Sequence, residues 1–162
     1  MSRRRAATAR VIVPDAKYGS YLISKFINYV MREGKKALAE KIVYSALDRM
    51  QSKYSVDPFE SFNTAISNVK PQMKVTSVRV GGANYQVPGM VGEKEATALS
   101  FRWILAAALK RSEKTMIERL AAELFEAANN RGGAMQTREN THKTAESNRA
   151  FAHLAKHSNA GR

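Results

Sequence analysis

The chain has 162 residues and an ordinary hydrophobic share of 44%, enough for one domain with a real core. Its 27 lysines and arginines against 14 acids leave a net charge of +13 and a pI near 10.2, an excess that points to nucleic acid first and an anionic membrane surface second. No run of about 18 apolar residues is present to cross a bilayer, no apolar segment follows the first arginines as a secretory signal requires, and the lack of cysteine excludes disulfides, thiol catalysis and Cys-bound zinc, in keeping with a reducing compartment.

Residues 1–19 carry Arg3, Arg4, Arg5, Arg10 and Lys17 against Asp15 alone. The segment has no periodicity, so it reads either as a solvated tail or as a basic arm that orders on nucleic acid. The overall charge favours the arm. Arginine forks suit phosphate oxygens, so Arg3, Arg4 and Arg5 can each take one. A helical domain is predicted over 20–156, with a mobile C-terminal tail at 157–162.

From Ser20 the pattern turns helical, with Leu22, Phe26, Ile27, Val30 and Met31 on one stripe. Gly34 stops it and sets Lys35 and Lys36 in a turn, where they read as a second phosphate contact. A second helix is predicted from about Ala37 to Lys53, with Ile42, Val43, Ala46, Leu47 and Met50 inward. The third starts at an Asp57 cap with Pro58 in first position and Glu60 completing the cap pattern. Phe59, Phe62, Ala65, Ile66 and Val69 form its buried face, and Pro71 closes it.

The stretch from about 73 to 90 is the clearest strand signal. Val75, Val78, Val80, Tyr85 and Val87 suit a pleated strand. Gly81-Gly82 supplies the positive backbone angles of a tight reversal, and Asn84 tolerates them too. Pro88 cannot donate to a ladder, so the second strand ends there or lies on an edge. Lys74, Arg79 and Gln86 decorate this hairpin, which suggests an arm presented to something acidic. An ordinary surface hairpin and a nucleic-acid ribbon read equally well from the local pattern.

A long helix follows from about Glu93 to Arg111, with Leu99, Trp103, Ala106 and Ala107 as its main stripe. Phe101, Ile104, Leu105 and Ala108 widen that stripe. Trp103 reads as a core anchor. Arg102, Lys110, Arg111 and Lys114 gather toward its C-terminal half, where cations also suit the helix dipole. The fifth helix, about Thr115 to Asn129, buries Met116, Ile117, Leu120, Ala121, Leu124, Phe125 and Ala128. Glu118, Arg119, Glu123 and Glu126 form its solvated face. A last, polar helix is predicted from about Glu139 to Lys156. It includes His142, Lys143, Arg149, Phe151 and His153, and with so weak a stripe it needs an external partner. The fold class is mainly α: about six helices with one projecting β-hairpin between the third and fourth.

Catalysis finds little footing. His153 and His157 stand four apart, but residue 154 is leucine and no third ligand is evident, so neither a metal site nor a zinc-protease site is expected. The chain has no Gly-x-Ser-x-Gly and no phosphate-cradling glycine loop. No catalytic residue and no cofactor are expected. The paired glutamates beside lysine and arginine read as surface ion pairs.

Arg79-Val80-Gly81-Gly82-Ala83-Asn84-Tyr85-Gln86-Val87-Pro88 closely resembles the central hairpin of the small-subunit ribosomal protein seven family, bacterial type. Val13-Pro14-Asp15, the run from Ser24-Lys25-Phe26 to Gly34-Lys35-Lys36, and Ile42 to Leu47 resemble the family's N-terminal motifs. Arg102-Trp103-Ile104, Lys110-Arg111, Lys114 to Ala121, and Ala145 to His153 recur downstream in the same order. An organelle transit peptide is therefore not expected, since these motifs begin as early as Val11.

The resemblance implies a structural constituent of the small ribosomal subunit. Such a protein binds the 3′ major domain of its ribosomal RNA and nucleates head assembly near the decoding centre. It implies ribosomal RNA contacts from Arg3, Arg4, Arg5, Arg10, Lys17, Lys25, Lys35, Lys36, Arg102, Lys110, Arg111, Lys114, Met116, Arg119, His142, Lys143, Arg149 and His153. It places Arg79, Gly81, Gly82, Ala83, Asn84, Tyr85 and Gln86 beside exit-site transfer RNA and messenger RNA. Ribosomal proteins nine and eleven are the implied neighbours, and some members repress their own messenger RNA. The implied location is the cytoplasmic ribosome, with an organellar ribosome as the alternative, and no membrane is involved. A basic architectural DNA-binding protein or repressor is the rival reading, although a two-fold dimer would then be expected.

The sequence departs from the family where Gly89 to Ala96 holds Glu93 and Glu95 in place of the usual basic residues. Lighter RNA contact at the hairpin base is the expectation there. The glycine that usually follows the arginine is absent at Arg111-Ser112, and the tail beyond His153 is longer than in many bacterial members.

Overall fold

In the computed structural model, which describes residues 11–154, the chain enters its first helix through a serine cap. Ser20 Oγ accepts the Ile23 amide at 3.5 Å and starts α1, Tyr21–Val30. Glu33 and Gly34 both take positive φ and turn the chain into α2, Lys36–Tyr54. Asp57 Oδ1 accepts the Phe59 and Glu60 amides at 2.8 and 3.0 Å and opens α3, Pro58–Val69. After the hairpin come α4, Glu93–Lys110, α5, Met116–Ala128, and α6, Gly133–Ser147. A 3₁₀ helix, Arg149–Leu154, ends the described residues. Six α-helices, one 3₁₀ helix and a hairpin between α3 and α4 match the predicted fold class.

The core forms where α5 packs against α2, α3 and α4. Phe26 of α1 is fully buried, with ring centroids 5.4 Å from Phe62 of α3 and 5.1 Å from Phe101 of α4, both edge-on. Truncating such a side chain to alanine costs about 3–5 kcal/mol, so this aromatic trio binds three helices together. Ahead of α1, the buried Asp15 carboxylate accepts the Lys17 and Tyr18 amides and the Tyr44 hydroxyl. The chain leading into α1 is thereby pinned to α2. The Tyr44 phenol is pushed up by burial and by that carboxylate.

Strands β1, Met73–Val80, and β2, Ala83–Met90, pair antiparallel from Met73 opposite Met90 to Val80 opposite Ala83. A two-residue turn closes them. Gly81 and Gly82 have φ of +57° and +89°, the mirror-image turn that matches strand twist. Asn84 lies in β2 and does not share the positive φ. Pro88 sits within β2 opposite Val75, which a strand with a free edge allows. Opposite residues share a face, so Val78, Tyr85 and Val87 lie on one side, and Arg79, Asn84, Ser77 and Gln86 on the other. The first side meets the 3₁₀ helix, where Tyr85 and Phe151 stand 5.4 Å apart, and the hairpin also packs on α6.

The structure corrects several expectations. The last helix begins at Gly133, not Glu139, and its α-helical part stops at Ser147. Its early start buries Ala134 and Met135, an anchor in the domain that a start at Glu139 leaves out. The buried face of α4 is Ala96, Thr97, Ser100, Phe101, Ile104, Ala107 and Ala108. Leu99 and Trp103 are half-buried at its margin and Ala106 is exposed, so Trp103 flanks the core and does not anchor it. Phe59 lies outside the buried face of α3 and stacks on Tyr18 at 6.1 Å. Glu123, read as solvated, is buried.

Candidate nucleic-acid interface

The hairpin gives the sharpest presentation. Its solvent face carries Ser77, Arg79, Asn84 and Gln86, all exposed, beyond a turn of two bare glycines. No Cβ built on Gly81 or Gly82 meets another atom within 4 Å, so the tip stands clear of the domain. Lys74, expected to decorate the hairpin, is tied at the base: its Nζ lies 2.6 Å from Glu95 of α4. Lys70 pairs with Glu93 at 3.6 Å. Glu93 and Glu95 therefore each neutralise a cation next to the hairpin.

The other candidates divide by what already holds them. Lys17 meets Asp48 at 2.6 Å, Lys35 meets Glu33 at 2.7 Å, and Lys36 meets Glu40 at 3.7 Å, all at least partly exposed pairs. The Asp48 contact raises the Lys17 ammonium above its ordinary value. Exposed pairs of this kind are worth about 0–1 kcal/mol, so a phosphate can displace the carboxylate. Lys25 lies over the Tyr21 ring. Arg102, Lys110 and Lys114 are exposed along α4 and the link to α5, as are Lys143, Arg149 and His153 on α6 and the 3₁₀ helix. Arg3, Arg4, Arg5, Arg10 and His157 lie outside the described residues, as does the tail at 157–162.

Arg111 behaves differently. Its guanidinium meets Glu113 at 2.9 Å, Glu123 at 3.0 Å and Glu126 at 2.8 Å. Its hydrogen bonds to Glu126 and then to Glu113 hold it firmly in its charged form. The same contact lowers the Glu113 carboxyl. The other oxygen of Glu123 accepts the Ala134 amide at 2.9 Å, so one carboxylate joins α4, α5 and the start of α6. An arginine with its donors spent on three carboxylates has little left for a phosphate.

His142 is also occupied. Its Nε2 accepts the Gln72 amide at 3.1 Å, and burial, with Arg138 nearby, lowers its imidazole from the ordinary value of 6.5. It therefore ties α6 to the start of β1 as a neutral ring. Beside it, Met73, Met90 and Arg149 line a shallow cleft.

Lys35, Met116 and Arg119 are brought together along one groove with Arg32, which sequence reasoning passed over. Arg119 is held there by its Nε, which donates to the Glu113 carbonyl at 2.5 Å. Arg32 left no signal in a periodicity count, because it follows α1 in a turn. Arg138 was likewise missed: it donates to the Asn68 carbonyl and ties α6 to α3. Among the described residues no cluster of His, Asp or Glu could hold a metal ion, and no helix is long and apolar enough to cross a membrane.

A family model described as ribosomal protein S7p/S5e matches residues 2–149. The chain is 63% identical over 155 residues to the small ribosomal subunit protein uS7 of Rickettsia massiliae (strain Mtu5), covering 96% of this chain and 97% of that protein. It is 62% identical over 155 residues to the protein of the same name from Rickettsia bellii (strain RML369-C), covering 96% and 95%.

Proposed function

The chain belongs to the ribosomal protein S7p/S5e family, and from that premise we propose that it is a structural constituent of the small ribosomal subunit that binds the 3′ major domain of its RNA. The family is one of ribosomal proteins and not of enzymes. The observation that carries the reading is near-full-length identity to small-subunit proteins, at 63%. The physical chemistry supports it. A net charge of +13 rides on a helical core whose exposed cations are bound only by weak surface pairs. RNA is recognised through phosphates, 2′-hydroxyls and exposed loops, which suits cations spread over a scaffold.

In this reading the basic arm, the α1–α2 turn, the α4–α5 link and the last helical stretch grip ribosomal RNA and nucleate the head. The hairpin, with Arg79, Asn84 and Gln86 outward, approaches exit-site transfer RNA and messenger RNA. Ribosomal proteins nine and eleven are the neighbours. Arg111 and His142 drop from the contact set to a scaffolding role, because their polar atoms are already engaged inside the fold.

The test is a titration against a transcript of the small-subunit 3′ major domain, with duplex DNA of equal charge as competitor, at several salt concentrations. Tight binding that survives the DNA supports the reading. Equal loss to DNA and to salt overturns it in favour of a generic polycation, and preference for the DNA favours the architectural rival.

A further inference from the structure

The base of the hairpin, α6 and the 3₁₀ helix border a cleft of about 480 Å³, lined by Gln72, Met73, Met90, His142, Glu146 and Arg149. Its two methionines have no part in the function proposed above. Met73 and Met90 are the outermost pair of the ladder and stand directly opposite each other, so their side chains share one face. Just beyond them the Val91 amide donates to the Gln72 carbonyl at 3.1 Å, and the Gln72 amide donates to His142 Nε2 at 3.1 Å. The bond that holds the hairpin base to α6 therefore passes beside these two sulfurs.

The methionines differ in what reaches them. Met90 is 79% exposed, whereas Met50 and Met135 are buried and Met31, Met73 and Met116 are half-buried. A thioether open to water is open to a peroxide, and oxidation turns a flexible apolar side chain into a polar one. Arg149 stands in the same cleft, on the 3₁₀ helix that packs against β2. It is exposed, and among the described residues neither Glu146 nor any other carboxylate pairs with it. A thioether is a weak acceptor and gives this guanidinium little to hold, whereas a sulfoxide oxygen is a strong one.

We propose that Met90 is a site of oxidation by hydroperoxides, and that Arg149 captures the resulting sulfoxide and so clasps the hairpin base to the 3₁₀ helix. In this step a sulfur lone pair attacks one peroxide oxygen. The S–O bond forms as the O–O bond breaks, and the proton on the transferred oxygen leaves with the other oxygen as water. Sulfur is oxidised by two electrons and the peroxide is reduced by two. Methionine sulfoxide reductases reverse the change, so the clasp can be opened again. The inference concerns the chain alone and stands apart from the RNA-binding reading.

The test treats the full chain with graded hydrogen peroxide and follows it by peptide mass spectrometry and amide exchange. Met90 should oxidise about tenfold faster than Met50 or Met135, because exposure governs the rate. Exchange at the Gln72 and Val91 amides should then slow about tenfold, as one added hydrogen bond from a charged donor does. Arg149→Leu should leave the oxidation of Met90 unchanged and abolish the slowing. Met90→Gln places an amide oxygen near the position of the sulfoxide oxygen and should slow exchange without peroxide. Both positions are exposed, so the fold should survive, which a thermal melt verifies.

Oxidation of Met31, Met73 or Met116 ahead of Met90 overturns the site. Exchange at Gln72 and Val91 that is unchanged or faster once Met90 is oxidised overturns the clasp, as does equal slowing in the Arg149→Leu variant.

Discussion

Arg111, just past the end of α4, holds a carboxylate oxygen of Glu123 at 3.0 Å, and Glu123 is only 1% exposed. A buried carboxylate is tolerated only when paired and hydrogen-bonded, and here Arg111 and the Ala134 amide supply both. Removing one partner of such a pair leaves an uncompensated buried charge and costs about 3–5 kcal/mol. Arg111→Ala should therefore lower the urea midpoint sharply with the slope unchanged. Glu123→Gln should cost less, because its amide oxygen can still accept from Ala134. If Arg111→Ala unfolds like the parent chain and instead loses RNA affinity, the arginine belongs to the interface after all.

This pair shows what a linear reading can and cannot reach. The stripes of α1, α2, α3 and α5, the Asp57 cap and the Gly81-Gly82 turn were legible because each depends on neighbours in sequence. Glu123 was not legible. It sits beside Leu120 and Leu124 on the buried side of α5, and only a partner 12 residues upstream makes a carboxylate acceptable there. The start of α6 was missed for a related reason. Gly132-Gly133 reads as a stop, yet Gly132 takes φ of +94° against Glu123, leaving 2.9 Å where a Cβ would sit. The motif residues of the hairpin stood out in sequence, whereas Arg32 and Arg138 did not, because what places each of them is a neighbour far away in the chain.

His142 makes a pH prediction. Its imidazole is lowered by burial, and its Nε2 must stay unprotonated to accept the Gln72 amide. The folded value lies below the unfolded one, so this contribution is fully present above the unfolded value of about 6.5. It declines as pH falls from there through the folded value. Unfolding free energy measured between about pH 7.5 and 4.5 should show this loss, and His142→Gln should remove that component while keeping an acceptor for Gln72. An identical pH profile in the variant would assign the slope to other groups.

The turn supplies a third. A residue with a Cβ pays a steric penalty of about 1 kcal/mol in the left-handed region, and asparagine tolerates it best. Gly82→Val should fray the hairpin and weaken transcript binding, with the thermal midpoint of the helical core nearly unchanged. Gly82→Asn should keep both. Nothing lies within 4 Å of the added Cβ, so backbone conformation alone is being read. Amide exchange across β1 and β2 is the direct measurement, and unchanged protection in the valine variant would refute the idea.

At the hairpin base, Glu95 holds Lys74 at 2.6 Å and Glu93 holds Lys70 at 3.6 Å. Both bridges are partly exposed, so they add little stability and mainly cancel charge. The two lysines at this base are thus neutralised before any phosphate reaches them. Glu95→Gln should release Lys74 without adding a cation. Glu95→Arg releases it and adds one. Transcript affinity should rise in that order, and the salt slope should steepen by about 0.7–0.9 for each phosphate gained. Glu93→Arg should act likewise through Lys70, more weakly, because its bridge is longer and its carboxylate is 88% exposed. If affinity and slope stay put in all three variants, no phosphate lies within reach of the hairpin base, and the acidic pair has no bearing on RNA contact.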